Sequence, residues 1–304
     1  MTGAVPLAAA IDAPCHMLEG PAGRVAVYRS QRADATAPPM LLIHSVNAAA
    51  SAFEMRPLFA HFAQDRAVTA LDLPGFGRSE RSRRPYTPEL MVAAIETAAA
   101  DLRATTGVGR IDLVALSLAC EFAALAAAAR PDGIRTLGLI SPTGFDRRST
   151  ADGRTRVPHV PGLVGLLVDR PWSAGLFRLL TSRASIKFFL RKTWGGNNID
   201  PAMVDYDWAS ARQPGAEHAP LAFLAGRLFS TDILARYLAL RLPCWLAHGR
   251  RGDFVDYRWT ALVADRPNWR VRVYDTGALP HFERTDEVAA DLAAFLADPP
   301  ASAP

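Results

Sequence analysis

Residues 111–130 read IDLVALSLACEFAALAAAAR. The apolar run 111–116 has the β-like alternation of a strand, and the Ala-rich run from Leu118 has helical character, so Ser117 falls on a sharp turn between the two. Working outward, short apolar runs at 24–28, 40–44, 68–72, 111–116 and 136–140 alternate with helical stretches at about 51–64, 88–106 and 118–130. That alternation predicts strands joined by crossover helices in a largely parallel sheet, covered on both faces. The fold class is α/β.

A second core-like block follows, with strands at 244–248 and 269–274, a helix around 257–265 and a final helix over about 283–296. The stretch between the blocks, 146–240, shows no β alternation and is helix-rich, which predicts a helical cap inserted after one core strand. The organisation expected is therefore a loose tail over 1–15, a first core part over 16–145, the cap, a second core part over 241–298 and a tail over 299–304. Asp146 to Lys192 carries ten Lys or Arg against three Asp, a net +7 that exceeds the +4 of the whole chain. The rest is accordingly acidic on balance.

With 304 residues, 50% of them hydrophobic and 21% charged, the chain can bury a sizeable core. Three scattered cysteines, Cys15, Cys120 and Cys244, make no disulfide framework or zinc cage, and no secretory signal opens the chain. A cytoplasmic setting is expected. The apolar run 113–129 is broken by Ser117, Cys120 and Glu121, so no membrane span follows. The calculated pI of about 9.2 comes mostly from arginine, without a basic run interleaved with stacking aromatics, so nucleic acid is not an expected partner.

A serine hydroxyl needs a histidine base to become a nucleophile, and the histidine needs a carboxylate to hold its tautomer. After the strand at 244–248 the loop of HGRRGDFVDY presents Asp253, and after the strand at 269–274 the loop of DTGALPHFER presents His281. Asp256 is a rival acid, better read as a helix N-cap. Small residues flank the serine at Ala115 and Ala119, where close strand–helix approach requires them.

The chain resembles the α/β-hydrolase superfamily, in its capped serine-hydrolase branch. The resemblance rests on LLIHS at 41–45, LDLPGFGRS at 71–79, the elbow at Ser117, the G-x-x-x-D loop at 249–253 and the P-H at 280–281, and it spans nearly the whole core. It implies the catalytic order Ser117, Asp253, His281. It also implies an oxyanion hole built from the backbone N–H groups of Leu118 and Val46. Three positions depart from the family pattern: Ser45 replaces a glycine after His44, and Ala115 and Ala119 replace the elbow glycines.

His44 and His248 fall at strand ends and read as structural, Cys120 reads as a small buried hydrophobe, and no cofactor or metal site is expected. Substrate contacts are expected from Ser45, Asn47, Trp194, Phe188 and Phe223. The reaction expected is cleavage of a carboxylic ester, or related acyl bond, of a mainly apolar small molecule. Two other readings stand beside it. The basic cap suggests a thioesterase, acyltransferase or cyclase working on an acyl group borne by an acidic carrier protein, and the departures at Ser45 and the elbow suggest a non-hydrolytic ligand-binding member of the fold.

Overall fold

The structure is a computed structural model that describes residues 6–32, 37–157, 172–254 and 256–303. Its eight strands are β1 (Cys15–Gly20), β2 (Gly23–Arg29), β3 (Ala37–Ile43), β4 (Arg66–Leu71), β5 (Ile111–Leu116), β6 (Ile134–Ile140), β7 (Cys244–Gly249) and β8 (Trp269–Tyr274). They form one sheet in the order β1-β2-β4-β3-β5-β6-β7-β8. The β1–β2 and β2–β4 pairs are antiparallel and all later pairs parallel. Parallel pairing demands crossovers, and the helices that provide them cover both faces.

Side-chain alternation along the strands divides the core in two. Leu41, Ile43, Leu113, Ala115, Leu137 and Leu139 face α2 (Pro88–Thr106) and α3 (Ala119–Ala129). Met40, Leu42, Val114, Leu116, Trp245 and Ala247 face α1 (Arg56–Phe62) and the C-terminal helix Thr285–Ala297. Because both faces are dry, the central strands are continuous apolar runs, which made them readable in the sequence.

Five local expectations need correction. β1 was not anticipated: CHMLEG is a half-exposed edge strand paired only with β2, so it lacks the apolar signature of the buried strands. The expected tail over 1–15 is packed from Leu7 onward. Leu7, Ala10 and Ile11 are buried, Arg78 donates twice to the Leu7 carbonyl, and the Tyr206 hydroxyl donates to that of Ala8. The helix expected over 51–64 splits into a 3-10 turn, Ala52–Met55, and α1, because Pro57 has no N–H to continue one ladder through both. The last helix is likewise two pieces broken at Arg284, whose φ is −134°.

Between β6 and β7 lie α4 (Ser173–Leu180), α5 (Arg183–Trp194), α6 (Pro201–Ser210), α7 (His218–Leu224) and α8 (Ile233–Leu238). Local chemistry sets their ends: Ser182 and Asp200 cap the starts of α5 and α6, and Gly195 ends α5 in a left-handed conformation. Of the expected helix-rich cap, residues 158–171 lie outside the described residues. The helix expected around 257–265 is reduced to α9 (Ala261–Ala264), because the Tyr257 ring is stacked on His248 and the Trp259 indole donates to the Ser149 carbonyl. The C-terminal pieces are α10 (Pro280–Glu283) and α11 (Thr285–Ala297).

Candidate active site

Ser117 occupies the turn between β5 and α3 with φ +56°, a left-handed conformation that costs a non-glycine residue about 1–3 kcal/mol unless its surroundings impose it. They do: its N–H is held by the Ile140 carbonyl on β6, and its own carbonyl accepts from the Cys120 N–H. Ala115, Ala119 and Cys120 around it are fully buried, with the Cys120 thiol on the Ala115 carbonyl. The N–H groups of Leu118 and Val46 have no hydrogen-bond partner among the described residues. Leu118 directly follows the strained serine, and a free N–H at that position is one donor that an oxyanion site requires.

The loop after β3 is fastened by a residue the sequence did not single out. Buried Glu54 accepts from the Ser45 N–H at 2.7 Å, the Ser45 hydroxyl at 2.9 Å and the Asn47 side-chain amide at 2.8 Å. Burial pushes its carboxyl up to about 7, and the bonds from Ser45 and Asn47 oppose the shift. Ser45 and Asn47, expected to touch substrate, are thus engaged by Glu54. A glutamate in a short apolar run such as AFEM carries no sequence signal for this role. Below the loop, His44 accepts the Leu73 N–H on Nε2, so the proton sits on Nδ1, which donates to the Ser45 carbonyl.

Asp72 ties this loop to the turn after β4. It accepts from the Ala52 and Arg78 N–H groups and from the Tyr28 hydroxyl. Gly77, at φ +49°, is required there, since a Cβ would lie 2.0 Å from the Asp72 carboxyl carbon.

His281 lies on α10, fully buried, with Nε2 2.7 Å from the Glu54 carbonyl. A carbonyl only accepts, so Nε2 carries the proton and Nδ1 is a bare acceptor, buried and without a partner. Burial lowers the ring to about 4, offset in part by that carbonyl. This is the tautomer opposite to the one a serine base needs. Ser117 Oγ makes no hydrogen bond among the described residues.

Asp253 makes no hydrogen bond or ion pair with His281 among the described residues. Its half-exposed carboxylate meets Lys192 Nζ at 2.8 Å, and its backbone N–H donates to the Lys192 carbonyl. The end of α5 packs against both loops at once: Ala278 N–H donates to the Thr193 carbonyl, and a Cβ at Gly277 would lie 2.4 Å from that oxygen. Trp194 is buried here, edge-on to Phe282. Phe188 stands on the outer surface, and Phe223 stacks on Phe229. Asp256, expected as an N-cap, instead accepts from the Arg147 N–H and the Arg258 guanidinium, while α9 has no side-chain cap. Among the described residues no group of three or more His, Cys, Asp or Glu forms a metal site, and no helix is long and apolar enough to cross a membrane.

Residues 40–291 match the sequence profile of the alpha/beta hydrolase family. This chain belongs to the alpha/beta hydrolase family. Its sequence is 32% identical over 123 residues to the human (Lyso)-N-acylphosphatidylethanolamine lipase; the aligned part is 36% of this chain and 36% of that relative, well short of its whole length. The fold is similar to that of an esterase from Exiguobacterium antarcticum, with a TM-score of 0.71 and 12% identity over 93% of this chain and 99% of the esterase. It is also similar to a thermophilic esterase from Thermogutta terrifontis, with a TM-score of 0.68 and 20% identity over 94% and 98% of the two chains. At such identities the likeness is one of fold.

Proposed function

We propose that this alpha/beta hydrolase is a serine hydrolase that cleaves a carboxylic ester, or a closely related acyl bond, of a mainly apolar small molecule. The observation that carries the reading is the left-handed Ser117 with the Leu118 N–H free beside it. The partial similarity to a lipase supports an acyl substrate. In this reading Ser117 Oγ attacks the acyl carbon, and the N–H groups of Leu118 and Val46 stabilise the oxyanion. His281 takes the serine proton on Nε2 and returns it to the leaving alcohol, and a water activated by the same ring releases the acid.

For this the ring must leave the Glu54 carbonyl and carry its resting proton on Nδ1, where Asp253 would accept it after parting from Lys192. The working state therefore differs from the resting one at α5 and the two loops it touches. A fluorophosphonate probe is expected to label Ser117, and Ser117→Ala to lose both the adduct and ester turnover. An adduct that persists in the variant would defeat the assignment.

The Asp253–Lys192 pair favours a second reading, a ligand-binding member of the fold without hydrolysis. That reading predicts no adduct and retention of an intact apolar ligand.

A further inference from the structure

We propose that the exposed surface of α4 and α5 docks on an anionic lipid surface. Between residues 172 and 199 the chain has five cationic side chains, Arg178, Arg183, Lys187, Arg191 and Lys192, and no Asp or Glu. Arg183 is paired with Asp205 and Lys192 with Asp253, whereas Arg178, Lys187 and Arg191 are exposed and have no ion pair among the described residues. Large apolar side chains stand among these cations. Leu179 is 69% exposed, Phe188 53% and Phe189 51%.

Helical spacing places Lys187, Phe188, Arg191 and Lys192 along one side of α5, while Ile186 and Trp194 are buried. α5 therefore has an inner apolar contact with the protein and a second apolar surface that faces water. Soluble proteins rarely leave aromatic rings grouped on an exposed helix face unless something covers them. Here the rings stand beside amines: Lys192 Nζ lies 5.3 Å from the centre of the Phe188 ring.

That mixture fits the boundary of a bilayer. Rings enter the headgroup and acyl boundary while long cationic side chains extend to phosphates, and anionic lipid adds about 1 kcal/mol per Lys or Arg near the surface. The positive charge extends to Arg212, whose guanidinium is pushed down by burial and then by Arg178 and Arg183. Docking stands apart from the chemistry proposed for Ser117.

The test is co-sedimentation of the full chain with phosphatidylcholine vesicles, with and without phosphatidylglycerol. The wild type is expected to bind the anionic vesicles at least about tenfold more tightly than the neutral ones, with binding that weakens as salt rises. The pair Lys187→Glu with Arg191→Glu is expected to lose the preference for anionic lipid. The pair Leu179→Ser with Phe189→Ser is expected to weaken binding by about tenfold on both kinds of vesicle.

Thermal melting, and turnover of a soluble ester by the charge-reversed pair without vesicles, separate lost docking from a lost fold. Absence of wild-type binding to anionic vesicles, or equal binding by the charge-reversed pair, would overturn the proposal. Salt-sensitive capture by an acidic polypeptide such as polyglutamate, with no binding to vesicles, would overturn it in favour of an acidic protein partner. The Ser117→Ala protein should bind vesicles like the wild type, so failure of hydrolysis and failure of docking are read separately.

Discussion

The elbow side of the candidate site and its acid side are held by different forces. The Ser117 backbone is fixed by the sheet, and the 44–54 loop and the turn carrying Asp72 and Gly77 are tied together by bonds to the buried carboxylates of Glu54 and Asp72. Asp253 is attached through a half-exposed ion pair and one backbone bond to the end of α5. A buried network resists rearrangement because a lost partner leaves an unsatisfied group worth about 1–3 kcal/mol, whereas a surface ion pair contributes about 0–1 kcal/mol. In the proposed reading, the firmly held part of the site is the Ser117 turn with the 44–54 loop, and the adjustable part is the Asp253 carboxylate.

The largest effect should come from the fixed side. Ser117→Ala is expected to reduce ester turnover by at least about 10³-fold, read by steady-state kinetics, with thermal stability unchanged or improved because the alanine replaces a group that makes no bond. Turnover within tenfold of wild type would remove the serine from the chemistry.

Next comes Asp253→Asn, which tests whether the mobile side joins the fixed one during catalysis. If Asp253 reaches His281 Nδ1 in the working state, the carboxylate raises the ring above the value of about 4 it has beside the Glu54 carbonyl alone. The acid limb of kcat/KM should then lie well above pH 4 in the wild type and move down in Asp253→Asn, with a loss of about 10²–10⁴-fold near neutrality. Matching limbs in the two proteins would mean that Asp253 never meets the ring.

On the elbow side, Glu121 of α3 holds the Thr143 hydroxyl and the Ser230 N–H, and burial raises its carboxyl to about 7. A raised carboxyl binds a proton more tightly folded than unfolded, so its contribution is fully present below about 4.5 and lost as pH rises through 7. Glu121→Gln should cancel that loss. Relative to wild type, the variant should gain stability between pH 4.5 and 7, by up to about 3 kcal/mol, and show no further gain above. Urea unfolding at several pH values checks this. A constant difference across the range would mean the carboxyl is not shifted.

The contrast between the two sides also explains what was legible in the sequence. The β5–turn–α3 unit was readable because apolar periodicity, small residues and a turn coincide within twenty positions, and the Asp72–Gly77 turn because its glycines are tied to backbone geometry. Positions 253 and 281 could be placed after β7 and β8, since loop order follows strand order. Which way their side chains turn depends on α5, a helix packed between loops about sixty and ninety residues away in the chain, and no local pattern encodes that contact. Glu54 was invisible for the same reason: its partners at 45 and 47 and its carbonyl's partner at 281 meet only after the sheet has formed.

The smallest effect separates a latch from a fixture. Lys192→Ala removes the amine that holds Asp253 outward but leaves the backbone bonds of α5 in place. Because both side chains are about half exposed, the stability cost should stay below about 1 kcal/mol. If the pair holds the acid away from His281, releasing it should raise kcat by a few-fold, and added salt should raise wild-type kcat but not that of the variant, since screening acts on the same exposed pair. A fall in kcat, or an equal response to salt in both proteins, would show that Lys192 supports the working arrangement of Asp253 and does not restrain it.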